Sequence, residues 1–526
     1  MKKLNVLLIS LLSCSMMLGC SIGVDTDSNT IIESESPSDE PSPSETQTVE
    51  SESPVAESES PSASPSEQPS EESDTIPMIP DEDFVFPERS ASEPVVKEMS
   101  ALPSYTPTTF KASSYSETTT VLADGVTQVK CNLTLNGTTN VTSAYVVEVD
   151  LSKADVKAGS YDNTLSLTEY TKKSVPTAQA LAWERDNPGK KVLAVTNADY
   201  FAWGDTGVCV NAFAKEGVIL KSEHVNDSGD VPVSAPMLFG MCSKGAKIAP
   251  MTNTGDHTKD YRSKLYYSNS LSVYTQEGEV RAALTDGKTN TTNDPNTYSF
   301  IDQIQTNKYY AVAGHVYKLR LITPENGQEN HKYARVIEAS NKTSMSSFRL
   351  QEEGYGYLTV GSNIKDEFQV GDFVDLENSY VDSEEGHVWA HFDTILGCRH
   401  SLVENGTIPS TVAQEYQNGA QARVPRSAVG VKPNGNVVIV SIEDVHYGNS
   451  STYPTCTGMN LTQLADFMRY YGCYDAANFD GGGSSQLCTK KPTDGGFTVI
   501  TRSSDYCTYS VNSTRKVLNS IMVTTK

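Results

Sequence analysis

The sequence predicts an α+β fold, a β-rich mixed sheet with flanking helices, preceded by a long segment with too little apolar surface to fold on its own. Three observations carry this expectation. Short runs of β-branched and aromatic residues recur from residue 107 onward, and two windows show helical periodicity. Residues 21–100 are dominated by Ser, Pro, Glu and Thr.

The first element is an export signal. Lys2 and Lys3 precede an uncharged, mostly apolar run at 4–18. At about 15 residues it falls short of the roughly 20 that a spanning helix needs. It ends in Leu18-Gly19-Cys20, which looks like a lipoprotein box. That class implies cleavage before Cys20 and lipidation of its sulfur, anchoring the protein at the outer face of a bacterial cytoplasmic membrane. Residues 1–20 are therefore assigned as signal and lipobox.

Residues 21–100 read as a disordered acidic spacer. They hold 21 acidic residues against Arg89 and Lys97, a net of −19, while the whole chain carries −25. Like charges and prolines extend such a segment. The remaining residues, 101–526, carry only −8. The low pI thus belongs mainly to the spacer, and no basic face invites nucleic acid. Beyond Cys14 and Cys20, eight cysteines remain, an even number in an exported context, which allows disulfides or buried thiols. No CxxC pair suggests zinc.

The folded domain is expected at 101–526. Strands are expected within 107–150, a helix at 172–187, and a buried strand at 191–196 that ends in Asn197-Ala-Asp199. Glycine-marked hairpins follow over 204–250. Residues 255–395 stay β-rich and form either an inserted subdomain or an elaborated edge. Asn434-Gly435 joins two apolar strands at 428–442 as a hairpin. A capping box at Asn460 opens a helix to 471, and Gly472 stops it. A strand at 476–479 then runs directly into Asp480-Gly481-Gly482-Gly483-Ser484-Ser485.

That hexamer is the sharpest chemical feature. A carboxylate at a strand end followed by three glycines lets backbone approach a ligand, offering N–H groups and hydroxyls to an anionic oxygen. It lacks the Gly-Lys-Ser/Thr ending of a nucleotide-binding loop. Arg423 and Arg426 are placed to contact a phosphate, and Asn197 and Asp199 are candidates at another strand end. His446 could titrate near neutrality; His387 and His391 read as packing residues.

Several segments together resemble the phosphodiester glycosidase family: Asn197-Ala-Asp-Tyr-Phe201, Ile395-Leu-Gly397-Cys-Arg-His-Ser-Leu402, Arg423-Val-Pro-Arg426-Ser-Ala-Val-Gly430, Asn478-Phe-Asp480-Gly-Gly-Gly-Ser-Ser485 and Arg515-Lys-Val-Leu-Asn519. The chain departs from the family pattern at Ala198-Asp199, where a glycine pair is usual. It departs again at Glu443-Asp444-Val-His446, where Asp-Gly-Arg is frequent. The resemblance implies hydrolysis of a sugar C1–O–phosphate bond in an anionic glycan or glycosyl phosphodiester. In that chemistry Asp480 serves an oxocarbenium-like centre, with Asp444 or Asp199 as partner. Arg423, Arg426, Gly481, Gly482, Gly483, Ser484, Ser485 and Asn197 would bind substrate. No cofactor is required. Two alternatives stay open: a metal-assisted phosphodiesterase with Asp480, Asp199 and Asp444 as divalent-metal ligands, and a non-catalytic glycan-binding surface protein.

Overall fold

The computed structural model describes residues 78–88 and 99–526, except 166–171, 202–208, 222–236, 243–244, 251–264, 286, 290–292, 303–309, 329–330, 340–346, 349, 351, 353, 366–367, 383–387, 390–391, 393, 414–421, 445–456, 493–494 and 504–513. Cys20, most of the spacer, His387, His391, His446, Cys456 and Cys507 lie outside the described residues.

The single mixed sheet expected from the sequence is in fact several sheets, paired antiparallel throughout the described residues except for one short parallel contact between Lys288–Thr289 and Tyr298–Ile301. A seven-stranded sheet runs in the order Ser116–Ala123, Val126–Thr134, Val141–Val149, Val437–Ile442, Arg426–Val431, Asp475–Asn478, His400–Val403. A five-stranded sheet runs Phe497–Val499, Leu487–Lys490, Val192–Asn197, Asn519–Thr525, Ala154–Ser160. A second five-stranded sheet runs Val218–Lys221, Phe213–Lys215, Thr394–Cys398, Met237–Cys242, Gly245–Pro250. Strands between Leu265 and Trp389 build a separate nine-stranded sheet around a core of their own.

The apolar run at 437–442, interrupted only by the buried Ser441, has a direct cause. Val437 and Ile439 enter the core shared by the first three sheets, while Val438, Val440 and Ile442 enter the core beneath the helix Leu461–Tyr470. A strand covered on both faces needs no polar alternation. Burying each such side chain contributes about 1.5–3 kcal/mol. The helix starts where the capping box predicts: Asn460 Oδ1 accepts from the Gln463 amide at 2.8 Å, and Gln463 Oε1 accepts from the Asn460 amide at 3.0 Å. Leu461, Leu464, Phe467 and Met468 face the core.

The other helix is Pro176–Asp186, shorter than expected at its start. Pro176 disfavours helical backbone at the residue before it, so Ser174 instead bridges to Val517. Helices thus cover two local faces of an otherwise β structure. The six described cysteines of the folded domain are all buried free thiols, packed among apolar neighbours, where disulfides had been an open expectation. Residues 78–88, assigned to the spacer by composition, are packed: Phe84 and Phe86 enter an aromatic cluster with Tyr274, Tyr333 and Phe373. No helix among the described residues is long and apolar enough to cross a membrane.

Candidate active site at the Asp480 strand end

Four chain segments converge at one edge. Val192–Asn197 and Asp475–Asn478 end there, Arg426–Val431 begins there, and Arg399 follows Thr394–Cys398. Asn478 stands opposite both Ala428 and His400 in the seven-stranded sheet, and its carbonyl accepts from the Arg399 amide at 3.0 Å.

The loop after Asn478 is clamped from two sides. The Asp480 amide donates to the Ala198 carbonyl at 2.9 Å, and Asn197 Nδ2 donates to the Asp480 carbonyl at 2.7 Å. Asn197 Oδ1 in turn accepts from Ser427 Oγ at 2.8 Å, Thr196 Oγ1 at 3.2 Å and the Gln486 amide at 3.4 Å. Asn197 is 1% exposed, and both the oxygen and the nitrogen of its amide bond inside the protein. It organises the loop rather than meeting substrate. On the far side the Gly482 amide donates to the Pro425 carbonyl at 2.9 Å. Two glycines are required by this geometry: Gly482 adopts φ +61°, and a Cβ on Gly481 would lie 3.0 Å from the Pro425 oxygen.

The clamping changes what the glycine run can offer. The Gly481 amide donates to Asp480 Oδ1 at 2.9 Å, and the Ser484 and Ser485 amides turn back to the Gly481 and Gly482 carbonyls. Four of the five loop amides expected to face a ligand are thus used internally, leaving that of Gly483. Ser484 and Ser485 are fully buried. Ser484 Oγ donates to the Asp480 carboxylate and accepts from Arg515 Nη1 at 3.4 Å, while Ser485 Oγ meets Ser427 Oγ at 3.2 Å.

Positive charge comes from side chains instead. Arg399, Arg426 and Arg515 all interact electrostatically with Asp480. Arg426 is 8% exposed. Its Nε and Nη2 donate to the Met459 and Ala422 carbonyls, both at 3.1 Å, and its Nη1 lies beside Gly481. The Arg399 guanidinium sits 5.4 Å from the centre of the Tyr200 ring. Tyr200 Oη accepts from Asn478 Nδ2 at 2.7 Å, leaving its own proton for another acceptor. Burial and the Asp480 charge hold the Tyr200 phenol well above its ordinary pKa, so it remains a donor.

Asp480 keeps a partly exposed face yet is surrounded by protein. Burial pushes its pKa up to about 6, against the lowering pull of Ser484, Arg515, the Gly481 amide and Arg399. A partly exposed carboxylate with three guanidiniums in electrostatic reach can serve an electron-poor carbon while the cations take up charge on a departing phosphate.

The remaining expected residues are placed differently. Asp199 is 2% exposed, and both its oxygens accept from Asn211: Oδ2 from the amide at 3.0 Å and Oδ1 from Nδ2 at 2.7 Å. Burial lifts its pKa to about 6 as well, but it has no face for substrate. Asp444 is 3% exposed and follows Glu443, whose carboxylate pairs with Arg502 at 2.7 Å in the interior. Arg423 turns to the Asn136 carbonyl at 3.5 Å. Among the described residues no group of three His, Cys, Asp or Glu side chains is gathered to hold a metal, so the ligand set Asp480, Asp199 and Asp444 does not form. A separate cleft of about 620 Å³, lined by Lys157, Lys190, Met241, Cys242 and Lys526, lies at the opposite strand ends and contains none of these residues. Sequence reasoning missed Tyr200, Arg399 and Arg515 as site residues, although each falls within a segment that carries the family resemblance.

The profile of the phosphodiester glycosidase family matches residues 330–524. No curated protein matches. Among solved structures, a hypothetical protein from Synechocystis superposes with a TM-score of 0.50 at 15% identity, covering 79% of this chain. This chain spans 65% of that protein's length. A Burkholderia pseudomallei protein described as exported gives 0.47 at 14% identity, covering 81% and 100% of the two chains. The zebrafish N-acetylglucosamine-1-phosphodiester alpha-N-acetylglucosaminidase catalytic domain, auto-inhibited by its pro-peptide, gives 0.35 at 13% identity, covering 78% and 88%. The first likeness speaks to fold alone, and the other two are too loose to carry an argument. The likeness to the phosphodiester glycosidases therefore rests on the sequence profile, which matches residues 330–524 of this chain.

Proposed function

We propose that this protein is an extracytoplasmic, lipid-anchored hydrolase that cleaves the sugar C1–O–phosphate bond of a glycosyl-1-phosphodiester in a surface polysaccharide or glycan. The family supports hydrolysis at a phosphodiester-linked sugar. The observation that carries the finer reading is the Asp480 carboxylate, raised by burial to about 6 and ringed by Arg399, Arg426 and Arg515.

A phosphate monoester is a good leaving group, so C1–O cleavage needs little acid assistance. It needs a carboxylate at the anomeric carbon and cations at the departing phosphate. Asp480 in its ionised form serves the first need, by attacking C1 or by taking a proton from the attacking water. The three guanidiniums meet the second, because their planar forks match phosphate oxygens. The Tyr200 hydroxyl proton is a further donor at the same place. Asn197 acts one step back: its side chain and the Ala198 carbonyl hold the backbone on which Asp480 sits. Anchoring through Cys20 is supported by the apolar run, the Leu-Gly-Cys ending and the acidic spacer.

Sugar and phosphate analysis over a panel of glycosyl-1-phosphodiesters tests the reading. The wild-type chain should release free sugar and a phosphate monoester, and Asp480→Asn should release neither. Tight glycan retention without products would favour a binding protein, and near-normal rates in Asp480→Asn would remove Asp480 from the chemistry. Labelling with a fatty-acid precursor should mark the wild-type chain and not Cys20→Ala.

A further inference from the structure

The nine-stranded sheet has two unlike faces. Val273, Ala334, Val336 and Val374 point into its own core. Their chain neighbours Tyr274, Tyr333, Arg335 and Phe373 point the other way, since successive strand residues alternate. These four form one cross-strand patch, because Tyr274 and Arg335 both stand opposite Phe373. Three aromatic rings on the outer face of a sheet would be an apolar surface needing a cover.

The cover is residues 79–86. Phe84 stacks on Phe373 with ring centres 3.8 Å apart, and Phe86 packs on Tyr333 at 4.4 Å, while Val85 between them is 74% exposed. Side chains of the sheet also bind the segment's backbone. Arg335 Nη1 donates to the Ile79 carbonyl at 2.5 Å, Asn326 Nδ2 to the Phe86 carbonyl at 2.8 Å, and Gln276 Oε1 accepts from the Ile79 amide at 3.0 Å. Asp81 lies 2.9 Å from Arg335 and 2.7 Å from Arg320. Alternate apolar anchors, side-chain contacts to the backbone and one acidic reading position make up a peptide-recognition site.

The same stretch of chain is held a second time further along. Asp466, on the helix Leu461–Tyr470 and 1% exposed, accepts from Tyr105 Oη at 2.5 Å and from the Thr108 and Thr109 amides at 2.9 and 2.8 Å. Arg469 Nη2 donates to the Pro103 carbonyl at 3.1 Å. One grip is on the inserted sheet. The other is on the helix that packs against the Asp480-bearing sheet.

We propose that the outer face of the inserted sheet is a peptide-docking site for the chain's own Asp-x-x-Phe-x-Phe segment, and that this docking, with the Asp466 grip, clasps the inserted sheet to the sheet carrying Asp480.

The test uses the full chain with a protease site placed within 89–98. After cutting, the N-terminal fragment should remain with the body in gel filtration. Phe84→Ala/Phe86→Ala should release it. Asp81→Lys, which keeps both rings in place, should release it more readily as salt falls, because the introduced ammonium group repels Arg335 and Arg320. A labelled peptide of residues 78–88 should bind saturably to the uncut Phe84→Ala/Phe86→Ala chain, with the double-Ala peptide weaker by roughly a hundredfold or more. Equal release of the wild-type and double-Ala fragments, or equal binding of the two peptides, would overturn the proposal.

Discussion

Asp480→Asn is expected to abolish turnover and, at the same time, to stabilise the folded protein at neutral pH. Burial lifts this carboxyl from 3.8 to about 6 in the folded state. At about 1.4 kcal/mol per pKa unit, the ionised side chain costs the native state roughly 3 kcal/mol relative to the unfolded chain. The sign follows from a folded value above the unfolded one. Protonation favours the fold, so the contribution is complete below about pH 4 and is lost as pH rises through about 6. Asparagine is neutral at every pH and keeps an oxygen to accept from the Gly481 amide. The variant should therefore gain up to about 3 kcal/mol near pH 8 and almost nothing near pH 4. Urea unfolding of both proteins at the two pH values, run beside the phosphodiester assay, measures this. If Asp480→Asn is no more stable than wild type near pH 8, burial is not what perturbs this carboxyl. If its turnover is near normal, the residue is not catalytic.

Other perturbations should discriminate between residues that look alike in sequence. Asp199 has the same raised pKa, yet Asp199→Asn should gain about 1–3 kcal/mol less in chemical unfolding near pH 8 than Asp480→Asn does. Its new NH2 group would face one of the two Asn211 donors that now fill both oxygens. Arg399→Ala and Arg515→Ala should each lower kcat/KM on glycosyl-1-phosphodiesters by about 10²–10³-fold. Arg423→Ala, whose side chain turns to Asn136, should leave it near wild type; equal losses in all three would mean the arginine ring is drawn wrongly. Gly397→Ala would place a Cβ 2.3 Å from Asn211 Cβ and 2.5 Å from Asp199 Oδ2, and should cost about 1–3 kcal/mol in thermal unfolding.

Local signals are legible in the sequence wherever local chemistry decides the structure. Asn460 and Gln463 announce the helix start, and Asn434-Gly435 announces the hairpin, with Gly435 at φ +85°. Periodicity alone misplaces the start of the other helix, which the backbone restriction before Pro176 decides. Sheet membership is not legible, because it rests on pairings far apart in the chain: Val192–Asn197 lies between Leu487–Lys490 and Asn519–Thr525. The site shows the same division. Asp480 stands out through the glycines that follow its strand. The direction of an arginine does not: Arg423 and Arg426 are three apart, and only burial separates the one beside Gly481 from the one turned to Asn136. The short Phe84-Val-Phe86 insert in an acidic segment is visible, but its partner is an aromatic patch assembled from three strands.

Asp480 is poised between two opposing influences, and substrate should tip the balance. Burial raises its pKa while Arg515 and Arg399 lower it. A phosphodiester bound on those guanidiniums would bring its own negative charge close to the carboxylate and displace water, and both effects favour the protonated acid. The acid limb of kcat/KM reports the free enzyme and should fall near 6, whereas the acid limb of kcat reports the bound complex and should lie at higher pH. Arg515→Ala should raise the kcat/KM limb, because the free enzyme then loses one of the cations that hold the carboxyl down. A kcat limb at lower pH than that of kcat/KM would mean that bound phosphate does not share the Asp480 cations, and the assignment of these arginines to the leaving group would fall with it.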